Sequence, residues 1–239
     1  MILTAHQPVY LPWLGLFHKI ALADRFVSFN QVQYQPKSWN NRNKINTDQG
    51  PIWLSVPVLR KGYLDKKYTE IRINSEQPWG RKHWQSILQN YKAAPNFGRY
   101  ADYFEDVYSR EWETLGVLNE TMLQWFLEQL GLPHKVESAA DFNFQGSKSG
   151  LVLDMCRHLD ADHYIFGSEG KNYADRGSFA EAEIQIHFQE YRHPVYEQIH
   201  SKEFDSHLSI VDLLFNCGES SLDVLMEGNL SSLEVATAG

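Results

Sequence analysis

The sequence predicts an α/β protein with a mostly parallel central sheet and a helical insertion. Three observations lead there. A strand, a helix and a further strand follow one another near the N-terminus, long helical periodicity fills residues 78–132, and strand-like alternation returns after it. Parallel neighbours need a crossover, and a helix between two strands supplies it. The 239 residues suffice for one sizeable core. This reading assigns residues 1–77 and 133–218 to the α/β core, 78–132 to the insertion and 219–239 to a C-terminal tail.

Taken in order, "ILTAHQ" is a short apolar run that suits a buried strand, and Pro8 and Pro12 break the backbone after it. Leu14, Phe17, Ile20 and Ala21 make a helical stripe. Phe26, Val27 and Phe29 mark the next strand, and "PIWLSVPV" and "YTEIRIN" read as two more. In the insertion, Trp84, Ile87, Leu88 and Tyr91 share one helical face, Tyr100, Phe104, Val107 and Tyr108 a second, and Leu115, Leu118, Met122 and Phe126 a third. Gly131 suits the C-terminal cap of that last helix. Ser147 can cap a helix carrying Leu151, Met155 and Leu159. "HYIFGSEG" is a strand entering a Gly-rich turn, and Ile184, Ile186 and Phe188 alternate in another. Ser209 begins a helix ended by Gly218, and the last dozen residues are expected to fray.

Composition excludes some functions. Asp and Glu outnumber Lys and Arg by 30 to 22, for a formal charge of −8, which speaks against a nucleic-acid binder. Cys156 and Cys217 lie far apart in apolar helical runs and read as buried thiols. "MILTAHQPVY" lacks a basic segment before an apolar one, and no window approaches a membrane span, so a cytoplasmic location is expected. His187, His193, His200 and His207 recur at intervals unlike helical ligand pairs, and Pro194 interrupts them; no metal site is expected.

Three polar clusters fall at the ends of predicted strands, where open parallel sheets bind ligands. The first runs from His6 through Gln7 and Tyr10 to Trp13, stiffened by two prolines. The second holds Gln33, Lys37, Trp39, Asn41, Arg42 and Asn43. Its cations suit an anion, its amides suit hydroxyls, and its indole offers a face to a sugar ring or a base. The third, "FGSEGKNYADRGSF", brings Gly167, Gly170 and Tyr173; the P-loop spacing is absent, but a Gly-rich turn can present backbone N–H groups to an anion. The three are expected to converge on one cavity for a phosphorylated small molecule.

The segments "HQPVYLPWLGLFHKI", "VQYQPKSWNNRNKI", "WLSVPV", "FGSEGKNY", "YRHPVYEQ" and "LSIVDLLFNCG" together resemble the WbqC-like protein family of bacteria. The resemblance implies a place in O-antigen or other surface-polysaccharide biosynthesis, with glycyl or related acyl transfer to an amino sugar or nucleotide-sugar as the activity. It adds Tyr196 and Gln198 to the matching polar residues. On this reading His6 or Tyr10 transfers the proton, Lys37 and Arg42 hold phosphate, and Trp39, Asn41 and Asn43 orient the sugar. ATP is implied if the acyl donor is activated in place. The Rossmann-like order near the N-terminus, with Gly15 ahead of His18, is similar to the start of nucleotidyltransferase-like domains. The alternative is a non-catalytic binding module for a nucleotide-sugar or polysaccharide intermediate. The oligomeric state is not encoded in any motif.

Overall fold

The computed structural model describes residues 1–239 apart from Lys37, Arg60, Leu64, Asp65, Ser201, Lys202, Ala238, Gly239 and the side chain of Leu233. Its centre is a five-stranded, wholly parallel sheet of β1 (Ile2–His6), β2 (Arg25–Ser28), β5 (Val136–Ser138), β6 (His163–Phe166) and β7 (Gln185–Phe188), ordered β5-β2-β1-β6-β7. Counting only these strands in chain order, the arrangement is 3-2-1-4-5, the order of a doubly wound half. Helix α1 (Leu14–Ala21) makes the crossover from β1 to β2.

Both faces are covered, so the central strands are buried along nearly their whole length rather than in alternation. On one face Leu3, Ala5, Val27, Tyr164 and Phe166 pack against Leu151, Val152 and Met155 of α5 (Lys148–His158) and Phe179 of α6 (Arg176–Glu181). On the other, Phe26 joins Leu14, Phe17 and Ile20 of α1 in a larger cluster. That cluster runs on through α2 (Trp79–Tyr91), α3 (Phe97–Ser109), α4 (Leu115–Gln129) and α7 (Ile210–Cys217). The three consecutive helices therefore share a core with α1. Thr114 caps α4 by accepting from the Val117 N–H, and Gly131 follows it at φ 68°, where a Cβ would be strained.

Several expected elements differ. "PIWLSVPV" supplies β4 (Ile52–Ser55), which pairs antiparallel with β3 (Arg42–Ile45) in a separate hairpin rather than joining the central sheet. "YTEIRIN" is not a strand but a 3-10 turn, Tyr68–Glu70, followed by isolated bridges from Arg72 and Ile73. Tyr68 and Ile71 are both buried, and a spacing of three residues puts both on one side of a turn but on opposite sides of a strand. The tail also differs from the frayed end expected. It folds into α8 (Ser221–Met226) and α9 (Ser232–Thr237), and Val235 is buried against Ile2, Leu22, Ala23 and Ile165. Cys156 is buried, Cys217 is partly buried, and both are free thiols.

Candidate functional site

The chain turns from β1 to β2 on one side and returns to β6 on the other, so the carboxyl ends of β1 and β6 flank the topological switch point. A cavity of about 470 Å³ opens there. Open α/β sheets bind ligands at this place because the loops leaving adjacent strands diverge and leave a crevice.

His6 ends β1 and lines the cavity. Its Nδ1 lies 2.7 Å from the Gln7 carbonyl, which can only accept, so Nδ1 carries the hydrogen and Nε2 is the basic nitrogen. Trp13 meets the ring edge-on at a centroid distance of 5.3 Å. Burial, then the nearby Lys19 charge, pulls the imidazole down to about 3, so it is neutral at physiological pH.

Lys19 is the residue that sequence reasoning missed. It lines the same cavity from α1 while only 3% exposed, and its Nζ donates to the Ala5 carbonyl at 2.9 Å. Burial draws the ammonium down to about 7. The available signal was a lysine within a helix otherwise buried from Leu14 to Ile20.

From the other side come Gly167, Gly170 and Tyr173, before, in and after a 3-10 turn, Ser168–Asn172, that follows β6. The two glycines serve different ends. A Cβ on Gly170 would lie 2.5 Å from the Phe166 Cβ, so packing demands the glycine, whereas a Cβ on Gly167 would meet nothing within 4 Å and would project into open space. Tyr173 is half-exposed, with its ring edge-on to Phe166.

Trp39 completes the lining. The loop that carries it is fastened to the loop after β1: Tyr10 N–H donates to the Trp39 carbonyl at 3.2 Å, Asn40 Nδ2 to Pro8 O at 2.7 Å, and Asn43 Nδ2 to Leu11 O. Much of the amide density in "KSWNNRNKI" is thus explained by the carbonyls of a loop too irregular to pair them in a ladder. Asn43 is fully buried in this role. Trp13, Trp39 and Trp53 form a ladder with centroid spacings of 5.9 and 5.3 Å, and the Arg42 guanidinium lies 4.6 Å from the Trp53 ring.

The expected single cavity therefore gathers His6, Gln7, Trp13, Trp39, Gly167, Gly170 and Tyr173 but not the whole set. Asn41 and Arg42 line a different hollow of about 410 Å³, with Tyr34, Tyr63 and Gln77. Asn41 Nδ2 donates to Val56 O at 2.8 Å. Gln33 is exposed and bridged through its backbone to Lys67, and Lys37 lies outside the described residues. Tyr10 has no exposed surface; its hydroxyl is 2.7 Å from His83 Nδ1 and 2.6 Å from the Tyr108 hydroxyl, so it meets neither solvent nor cavity. Tyr196 and Gln198 donate to the buried carboxylate of Asp212 at 2.9 and 2.8 Å, where Tyr91 is a third donor at 2.8 Å. Among the described residues no three His, Cys, Asp or Glu side chains converge as metal ligands, and no helix is long and apolar enough to cross a membrane.

Comparison with known proteins follows the same residues. The uncharacterized protein Rv1507c of Mycobacterium tuberculosis (strain ATCC 25618 / H37Rv) is 33% identical over 221 residues, covering 92% of this chain and 95% of that protein. No solved structure matches the chain. The model of the WbqC-like protein family matches residues 7–224, a span that takes in every cavity-lining segment after the end of β1, and the chain accordingly belongs to that family.

Proposed function

We propose that the protein acts in bacterial surface-polysaccharide (O-antigen) biosynthesis, transferring an aminoacyl group such as glycyl, or a related acyl group, to an amino sugar or nucleotide-sugar held in the switch-point cavity. The observation that supports it is the convergence of His6, Trp13, Trp39 and the Gly167–Tyr173 turn on one hollow of about 470 Å³. Indole faces suit a sugar ring or a base, and a backbone left bare at Gly167 lets a phosphate approach. In the transfer, the sugar amine attacks the acyl carbonyl, an N–C bond forms, the bond from that carbon to its leaving group breaks, and the amine loses a proton. His6 Nε2 is the acceptor for that proton. It is neutral, and an anionic ligand that offsets the Lys19 charge raises its basicity. Activation of the acyl donor in place would require ATP, as in nucleotidyltransferase-like chemistry.

The weak basicity of His6 is also what favours the second reading, a module that binds a nucleotide-sugar or polysaccharide intermediate without turnover. Thermal denaturation with ATP, UDP-sugars and dTDP-sugars tests both. A ligand at 100 times its Kd adds about 2.7 kcal/mol of stability, or a rise of roughly 5–10 °C for a chain of this size. Mass spectrometry of the stabilising mixtures then separates the readings: a new acylated sugar supports the enzyme, and stabilisation without product supports the module. His6→Ala is expected to keep binding and abolish turnover; full activity would remove His6 from the chemistry.

A further inference from the structure

We propose that Lys19 is the group that receives the anionic part of the ligand, a phosphate or pyrophosphate, in the wall of the switch-point cavity. The inference rests on the cavity being the ligand site, as above, and moves the anion-binding role from the basic loop at residues 37–42 to a lysine buried in α1.

The geometry that carries it begins with charge. Lys19 is the one cationic side chain that lines this cavity among the described residues. A buried ammonium normally has a carboxylate partner, since removing it from water costs far more than one hydrogen bond returns. Lys19 has none within ion-pair reach among the described residues; its one hydrogen bond goes to the Ala5 carbonyl. Arg25, by contrast, meets Glu137 in a bidentate pair at 2.5 Å. An ammonium has three donors, so Lys19 keeps donors without an acceptor among the described residues.

The surroundings point the same way. The first turn of α1 contributes Gly15 and Leu16 to the same lining, which brings the positive end of the helix dipole to the cavity. The titratable groups facing the cavity are His6 from β1, Tyr164 from β6, and Glu169 and Tyr173 from the turn that follows. His6 is neutral, both tyrosines are held above their ordinary range by burial, and the exposed Glu169 carboxylate accepts from Asn172 Nδ2 at 3.0 Å. None of them neutralises Lys19, whose ammonium burial has already drawn down to about 7. An anion supplied from solvent would complete the pair and restore the lost proton.

The test compares the wild-type chain with Lys19→Met, using inorganic pyrophosphate and UDP as probes. The variant is expected to melt at least as high as wild type without ligand, because it removes an uncompensated buried charge. It is expected to lose affinity for both probes by about 10- to 100-fold, the cost of a charged hydrogen bond. Calorimetry of the wild type near pH 8, in buffers of different ionisation heat, should show proton uptake on binding. Equal stabilisation of both proteins by pyrophosphate would overturn the Lys19 assignment and leave the cavity reading standing. So would absence of proton uptake by the wild type, whatever the variant does. A wild type that responds to neither probe would instead remove the cavity reading, and this inference with it.

Discussion

Two buried charged groups in this molecule are treated in opposite ways. Asp212 in α7 is fully buried and receives Tyr91 from α2 and Tyr196 and Gln198 from the segment ahead of α7, all within 2.9 Å. Burial raises its carboxyl, and the three donors pull it back. Lys19 is buried almost as deeply, yet among the described residues it has a single acceptor, and it stands beside a cavity. A charge whose partners are all supplied by the chain holds the chain together. A charge left short of partners next to open volume is kept for something from outside, at a cost to the fold.

The sharpest way to break the comparison is at Asp212. Asp212→Ala strands three buried donors at once, each worth about 1–2 kcal/mol unsatisfied, so a loss of roughly 3–6 kcal/mol in urea denaturation is expected. A loss under about 1 kcal/mol would show that Tyr91, Tyr196 and Gln198 find other partners. Lys19→Met should move stability the other way, by about 1–4 kcal/mol near pH 7. Its pH dependence has a definite sign. The folded chain releases the Lys19 proton near 7 and the unfolded chain near the ordinary 10.5, so between them the unfolded state binds more protons. The wild type should therefore gain stability as pH rises through that window, and the variant should lack the gain. Parallel curves for the two proteins would contradict the burial of a charged Lys19.

The same contrast explains what was legible in the sequence. β1, α1 and β2 could be read because "ILTAH", the stripe of Leu14, Phe17 and Ile20, and "RFVS" bury apolar groups at strand and helix spacing. β3 was hidden inside the basic stretch because its inward residues are Asn43 and Ile45, and Asn43 is inward to satisfy the Leu11 carbonyl. Polar side chains that serve backbone groups of a distant loop break the apolar alternation on which strand reading depends. Asn43, Tyr10, Tyr196 and Gln198 are polar residues of the kind that suits a ligand, and each meets protein instead. Lys19 shows the converse: it sits in an apolar helix, and its burial beside the cavity follows from the fold rather than from the local pattern.

Smaller effects should separate packing from ligand access within a single turn. Gly170→Ala forces a methyl onto the buried Phe166 and is expected to cost about 1–3 kcal/mol. Gly167→Ala meets open space at ordinary backbone angles and should change stability by no more than about 0.5 kcal/mol. If a ligand approaches the backbone there, the Gly167 variant nonetheless binds pyrophosphate or UDP more weakly. Equal loss of stability in both variants would mean that the Phe166 contact is not what requires glycine at position 170.

A small stability change is also expected at Arg42, and it measures how far a ligand extends. Its guanidinium lies over Trp53 at the outer end of the tryptophan ladder, while Trp13 and Trp39 stand at the cavity. Arg42→Ala removes, along with the side chain's other contacts, a cation–π contact at a partly exposed site worth about 0.5–1 kcal/mol. Neither Trp53 nor Arg42 lines the cavity that Lys19 faces, so pyrophosphate affinity should stay within about twofold of wild type if the anion is held by Lys19. Loss of pyrophosphate binding in Arg42→Ala with binding retained in Lys19→Met would reverse the comparison, placing the anion at the outer hollow and making Lys19 a buried lysine of the core. A nucleotide-sugar that loses affinity in both variants, against a pyrophosphate that loses it only in Lys19→Met, would instead mean one ligand running the length of the ladder, phosphate inward and ring outward.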